Sequence, residues 1–366
     1  MKRFTSVKLE LLDPTSVPTD LEQFDYSKLT AIATCPTWGI VRYGLHKAMP
    51  GAGRAMALEA GTACHDFFAA HRIFMLGWQQ GLRAHADYHG VRLFGGERYS
   101  NAVSQISETK SLESNRRDFC IDILYTSGYV DDPGDNRRTL SNLEMTCLAY
   151  LQNWEGMDYP VWVFNPDDPT SPVGVEIPFA IKITFEYEEY SEQLGDVVVK
   201  RWSIAYTGKI DGIHATSQHE PLLMENKTGS RLDDAWRMSF VTSHQPTGYF
   251  MAVQLMLQRA VESGYVIGAQ IPLPKVYANG IVLEHMQRTQ HQYERWLDWV
   301  YDIVTMYRQH KDDVVDAPMF THSCNRYFRP CSLIPFCAAD EDEKRAILDQ
   351  MVPHYWSPLH EKAGED

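Results

Sequence analysis

Residues 222–229 read LLMENKTG, and the interpretation of this stretch decides the fold. Leu222, Leu223 and Met224 have the apolar character of a buried strand. Glu225 and Lys227 follow, two positions apart, and Gly229 closes the run. In a strand, residues i and i+2 share a face. The strand therefore ends by setting a carboxylate beside an ammonium just where the chain turns. Such a pair is either a surface salt bridge or the acid and base of a metal-dependent site. Alone it is unspecific: Glu108 and Lys110 repeat it in SQISETKS, with no apolar strand before them. A solvated face is the ordinary reading of charges spaced this way.

The 366-residue chain is 44% hydrophobic and 22% charged, which is enough for one large domain or two smaller ones. No apolar run reaches membrane-spanning length, and MKRFTSVKLELLDP at the start has no apolar signal region. The expectation is a cytoplasmic protein with no membrane partner. In that compartment seven cysteines are thiols or metal ligands rather than disulfides. The net charge of −14 argues against a protein that coats DNA all over, but leaves room for a local basic track. Residues 338–366 hold eight acids and three bases. In contrast, Cys35–Leu58 carries Arg42, Lys47 and Arg54 with no acid, and Phe320–Cys337 carries Arg326 and Arg329 with no acid. Both acid-free stretches also contain cysteines.

Residues 27–47 suggest a short helix capped by Ser27, then Cys-Pro, then another helix. Residues 54–80 read as helix and 81–135 as weakly patterned, with a loop at VDDPGDNRR. Helix returns at TLSNLEMTCLAYLQNW. Past Pro160 the β-branched and aromatic runs VGVEIPFAIKITFEYEEY and VVVKRWSIAYTGKIDGIHA read as strands, and LLMEN as another. SHQPTGYFMAVQLMLQRAVESG reads as a helix with Pro246 near its first turn and Gly264 at its end; YVIGAQIPLPKV and GIVLEHMQR are further strands. Residues 290–311 form an amphipathic helix whose stripe, Tyr293, Trp296, Leu297, Val300, Ile303 and Tyr307, reads as core packing. The order predicts an α/β protein with helical additions. Its segments are 1–60, a helical region with the first cysteine; 61–170, mostly helical; 171–290, the core; 291–340, a helix and three cysteines; and 341–366, an acidic tail.

In YTGKIDGIHA, Asp211 ends an apolar strand and precedes Gly212. The distance to Glu225 allows a strand end, a turn and the next strand, so the two acids can lie side by side. Two close carboxylates repel each other unless a cation sits between them. Hard oxygen donors suit Mg²⁺ or Mn²⁺. Lys227 would then orient a metal-bound water. The bland alternative is two unrelated acids and a salt bridge. In AGTACHDFF, Gly61 and His65 share a helical face; the glycine would admit a neighbouring element where His65 projects. His65 is then either a nitrogen ligand or a core histidine. Gln245 and Tyr249, also four apart, would touch a DNA backbone or support the ligands.

Gly-x-x-x-His, Glu176 in VEIPF, GKIDG, ENKTG and Gln-x-x-x-Tyr, in that order, resemble the RecB-like branch of the PD-(D/E)XK nucleases, over about Ser27 to Cys337. The resemblance implies a restriction-endonuclease-like core: a mixed central sheet flanked by helices. It also implies Mg²⁺ or Mn²⁺ held by His65, Asp211, Glu225 and the Asn226 backbone carbonyl, with Lys227 catalytic and Glu176 accessory. One cysteine near the N-terminus, Cys35, and three near the C-terminus, Cys324, Cys331 and Cys337, resemble the iron–sulfur staple of AddB-like and CRISPR-associated RecB-like nucleases. Four thiolates fit a 4Fe–4S cluster or structural zinc. The gap between Cys324 and Cys331 is longer than is common in that family. Cys64, Cys120 and Cys147 read as buried thiols. The staple would draw Arg42, Lys47, Arg54, Arg326 and Arg329 into one DNA-binding patch.

The implied activity is a DNA nuclease, an exonuclease acting on single strands or duplex ends, in phage recombination or DNA repair. With no nucleotide P-loop, a helicase or recombination protein would be its partner. Two alternatives stay open: a scaffolding DNA-binding protein that keeps the nuclease-like fold and a structural metal cluster, and a metal-dependent hydrolase of another substrate.

Overall fold

The computed structural model describes residues 4–50, 56–78, 81–154, 159–193, 195–272, 280–326, 329–355 and 359. The protein is a mixed α/β structure with a central mixed sheet flanked by helices. It divides into two compact units, one of residues 1–54, 178–209 and 290–366, the other of 55–177 and 210–289. Among the described residues, no helix is long and apolar enough to cross a membrane.

In the first unit, strand β1 (Ser6–Leu12) lies antiparallel to the outer part of β4 (Val175–Ser191). The two-residue strand β2 (Gln23–Phe24) runs parallel to the first half of β5 (Asp196–Ala215). Helix α1 (Tyr26–Thr34) is capped by Asp25, whose carboxylate accepts from the Lys28 N–H. The cap is therefore one residue before the helix, where Ser27 was expected; Ser27 already sits in the first turn. A short helix, α2 (Pro36–Gly39), and the two-residue strand β3 (Lys47–Ala48) follow. The long helix after Gln290 buries Trp296, Leu297, Val300, Ile303 and Tyr307, so this part of the stripe is core, as its spacing predicts, while Tyr293 at its start is only half-buried. Trp296 packs edge-on against Tyr206, 5.0 Å between ring centres.

The second unit opens with four helices and a connecting fifth: α3 (Met56–Trp78), α4 (Arg83–Phe94), α5 (Gly96–Ser104), α6 (Leu112–Tyr125) and α7 (Leu140–Trp154). Helices α4 to α6 fill the stretch whose sequence pattern is weak. Their apolar residues are diluted by buried polar ones such as His85, His89 and Asn115, each of which makes a hydrogen bond to a main-chain carbonyl. Cys64, Cys120 and Cys147 lie fully buried in this core, as expected, and burial raises the thiols of Cys120 and Cys147.

The second half of β5 pairs antiparallel with β6 (Pro221–Gly229). After α8 (Asp234–Ser239) and α9 (His244–Leu257), the chain returns as β7 (Ser263–Gln270), parallel to β6, and β8 (Ile281–Met286) closes antiparallel. A parallel neighbour needs a crossover connection, which α8 and α9 supply. The described part of α9 stops at Leu257, with Gln258 left-handed at φ 50°. The expected helix end at Gly264 is wrong: Gly264 lies in β7. A Cβ there would sit 2.8 Å from the Leu223 carbonyl oxygen and 2.9 Å from Phe250, so glycine serves strand–helix packing instead. Residues 273–276 of the expected strand lie outside the described residues.

Gly174 is the tightest point of this unit. Its N–H donates to Trp162 O and its carbonyl accepts from Ile213 N. A Cβ would stand 1.9 Å from the Ile213 carbonyl oxygen. Gly174→Ala is expected to cost about 3 kcal/mol or more in urea unfolding, the upper range for overpacking. A variant as stable as the parent would show that this contact does not hold β5 in place.

Candidate metal centre

The sheet brings the acids together by register. The β5–β6 ladder pairs Gly212 with Met224, and its next antiparallel step sets Asp211 across from Glu225. Asp211 Oδ2 accepts from the Asn226 main-chain N–H at 2.7 Å. Asp211 Oδ1 lies 3.4 Å from His65 Nδ1. Glu176, on β4, is buried and has a left-handed backbone at φ 48°, a conformation that costs about 1–3 kcal/mol in a non-glycine residue. One ligand atom from each of His65, Glu176 and Asp211 falls within 4.8 Å of the other two. The structure thus joins His65 to Asp211 and brings in Glu176 as a full member. Glu225 stands beside this triad, with Lys227.

Gly61 contributes less than its position implies. A Cβ there would lie 3.5 Å from Thr228 Oγ1, an ordinary contact that alanine would also make. His65 is positioned by the packing of α3, not by an obligatory glycine.

Glu225 is 1% exposed, and Lys227 Nζ donates to its Oε1 at 2.5 Å. Its Oε2 is buried with no hydrogen-bond partner among the described residues. A buried acceptor left open beside a His/Glu/Asp triad fits a cation, and the donor set of carboxylate oxygens and one imidazole suits Mg²⁺ or Mn²⁺.

Burial and the neighbouring Asp211 charge push the Glu225 carboxyl up to about 7, against the pull of Lys227. For His65, burial works downward, but the Asp211 carboxylate, with Glu176 behind it, raises the imidazole to about 9. Burial would raise Asp211; His65, then Lys227 and Arg72, hold it well below the usual carboxylate range.

Sequence reasoning missed the layer behind the triad. Arg72 is 1% exposed and lies two helical turns beyond His65 on α3, on the same face. Its Nε donates to His214 Nε2 at 3.1 Å. His214 Nδ1 lies 2.8 Å from the Tyr159 carbonyl; a carbonyl only accepts, so Nδ1 carries the proton. Burial and the Arg72 charge lower the His214 imidazole to about 3, which keeps it neutral. The Asn226 carboxamide, assigned with its oxygen inward, accepts from both terminal nitrogens of Arg72 at 2.9 Å. The spacing to His65 was the available signal for Arg72, and the sequence GKIDGIHA held His214 in plain view.

Gln245 Nε2 donates to Tyr249 Oη at 3.0 Å on α9, so this pair meets on one face as its spacing predicts. In the other unit, the Cys331 N–H donates to the Cys324 carbonyl at 2.7 Å. Burial, then the charges of Cys35, Cys331 and Cys324, raises the Cys337 thiol to about 11. Among the described residues the four thiols do not form a ligand group as tight as the His/Glu/Asp triad. Lys47 Nζ donates to the Leu348 carbonyl at 2.7 Å, and Arg42 sits on the turn after α2. The backbones of Arg326 and Arg329 pair with each other; their side chains, and all of Arg54, lie outside the described residues.

No family model matches the chain, and no curated protein matches it. Among solved structures, the crystal structure of SSO0001 aligns at 13% identity with a TM-score of 0.26, covering 58% of this chain and 72% of that one.

The raised groups give a pH test. Below their folded pKa values His65 and Glu225 hold protons that a cation must displace. Mn²⁺ affinity should therefore climb from about pH 6 to about pH 9, with net proton release near neutrality. Calorimetry in buffers of different ionisation enthalpy measures this; pH-independent binding without proton release would contradict the assigned ligands.

Proposed function

We propose that this chain is a metal-dependent deoxyribonuclease of the RecB-like PD-(D/E)XK kind, an exonuclease acting on single strands or duplex ends. The observation that carries the reading is the buried His65–Glu176–Asp211 triad with the Glu225–Lys227 pair beside it. The cation would be Mg²⁺ or Mn²⁺, held by His65, Asp211, Glu225 and the Asn226 carbonyl, with Glu176 adding its carboxylate. When bound, such an ion acidifies water and draws charge from a phosphodiester. Asp211 stays ionised because the Asn226 N–H and His65 both favour its charged form. Lys227, paired to Glu225, would position the attacking water and keep Glu225 in its charged form. Gln245 and Tyr249 would brace the DNA-facing end of α9.

Asp211→Ala, Glu225→Ala and Lys227→Ala should each lower Mn²⁺-dependent cleavage of end-labelled DNA by at least about a hundredfold, the scale for losing a group that stabilises transition-state charge. Linear and circular substrates, single- and double-stranded, separate exonuclease from endonuclease action. Folded variants cutting at the parental rate would overturn the proposal. DNA binding by the parent without any cutting would favour a scaffold with a nuclease-like fold.

The proposal extends to the cysteines. Cys35, Cys324, Cys331 and Cys337 would hold a 4Fe–4S cluster that staples distant segments of the chain. Cys337 lies near enough to Cys35, Cys331 and Cys324 for each to act on its thiol, which supports this. Zinc would draw the sulfurs to within about 4 Å of one another. Anaerobically purified protein should be brown and contain iron and sulfide. Serine at any of the four should bleach it and lower its melting temperature, while Cys64→Ser, Cys120→Ser and Cys147→Ser should keep the colour. Colourless protein with stoichiometric zinc would sink the cluster.

A further inference from the structure

We infer that Arg72 is the positioning residue of the metal centre, acting through Asn226 on Asp211. The inference rests on the metal-site reading above and adds a residue to it. Arg72 is buried, yet among the described residues it makes no direct ion pair. Its hydrogen-bond partners are both neutral: His214 through Nε and the Asn226 amide oxygen through the two terminal nitrogens. A buried guanidinium without a bonded carboxylate is costly unless nearby anions offset it. The triad offers that charge one residue away: Asn226, whose side chain Arg72 holds, gives its main-chain N–H to Asp211.

The geometry makes a chain of fixed parts. The Tyr159 carbonyl sets the His214 tautomer, and His214 sets the plane of the guanidinium. The guanidinium fork grips the Asn226 side chain. Held there, the Asn226 main-chain N–H meets Asp211 Oδ2, which leaves Oδ1 facing His65. Only a planar, forked donor satisfies both ends, so lysine cannot replace it. Gly212 completes the arrangement: a Cβ at that position would lie 2.8 Å from Arg72 Nε and 3.0 Å from its Cζ. The glycine beside Asp211 is the space through which the arginine passes.

Charge supports the assignment. With a cation bound, His65 gives up its proton, and Glu176, Asp211 and Glu225 contribute three negative charges against two positive ones on Arg72 and Lys227. A divalent cation brings the site to a single positive charge, which one phosphodiester neutralises. Without Arg72 the loaded site would be neutral and would offer a phosphodiester no net attraction.

The test measures Mn²⁺ binding by calorimetry, and the electron paramagnetic resonance spectrum of the bound ion, for the parent, Arg72→Lys, Gly212→Ala, Asn226→Ala and the Arg72→Lys/Asn226→Ala double variant. Melting temperature is followed in parallel. Losing an outer support of a metal site weakens affinity about 10- to 100-fold. That loss is expected for Arg72→Lys and for Gly212→Ala, whose Cβ would press on the Arg72 guanidinium. The double variant should bind no more weakly than the worse single variant, because both act through one contact. Additive losses, or folded variants with parental affinity and an unchanged spectrum, would overturn the role of Arg72. If Arg72→Lys does not fold, Gly212→Ala and Asn226→Ala decide by the same criterion. A parent whose Mn²⁺ binding survives Asp211→Ala would instead sink the metal-site reading itself.

Discussion

The β5–β6 register forces two carboxylates to face each other inside the protein, and everything around them answers that constraint. Asp211 and Glu225 are nearly inaccessible, and burying like charges together is unfavourable unless positive charge or hydrogen-bond donors surround them. Asp211 takes the favourable share: His65 on one oxygen, the Asn226 N–H on the other, and Arg72 behind. Glu225 takes the unfavourable share, with Lys227 on one oxygen and no hydrogen-bond partner on the other among the described residues. The asymmetry drives the two carboxyls apart in acidity. A pair in which one acid is permanently charged and its neighbour titrates near neutrality is poised to take up a cation.

Much of this was legible because it depends on local pattern. The strand predicted at LLMEN is there but runs on past the apolar residues to Gly229, and Glu225 and Lys227 emerge on one face by the two-residue period of a strand. Asp211 and Glu225 become partners because the intervening turn is short. The aromatic stripe from Trp296 to Tyr307 is buried because its spacing matches a helix. What was not legible depends on contacts between distant segments. Arg72 is an arginine in an apolar helix, and nothing local distinguishes a buried guanidinium from one that snorkels to solvent. His214 and Tyr159 gain meaning only when β5 meets the segment before β4. Gly264 looked like a helix terminator because its role, making room for Leu223 and Phe250, belongs to the packed sheet. Asp25 and Ser27 are residue types that cap equally well, and only the backbone places Asp25 at the cap. The cysteine staple and the activity come from the resemblance, while the basic track was read from two acid-free stretches of sequence.

Glu176 shows how the fold sustains an unfavourable local state for the sake of the site. Its left-handed backbone, at φ 48°, persists only where the surroundings over-determine it. They do so on the preceding side. Val163 bridges to Val173, Val161 bridges to His214, and Gly174 is locked between Trp162 and Ile213. With no Cβ at Gly174, β5 approaches close enough to fix the start of β4. The same bridge that pins β4 ends at His214, which orients Arg72. One short ladder therefore sets both the strained carboxylate at the front of the triad and the guanidinium at its back. The rigidity needed to hold two acids and a histidine within 4.8 Å originates in backbone pairing rather than in the charged groups themselves, which would otherwise move apart.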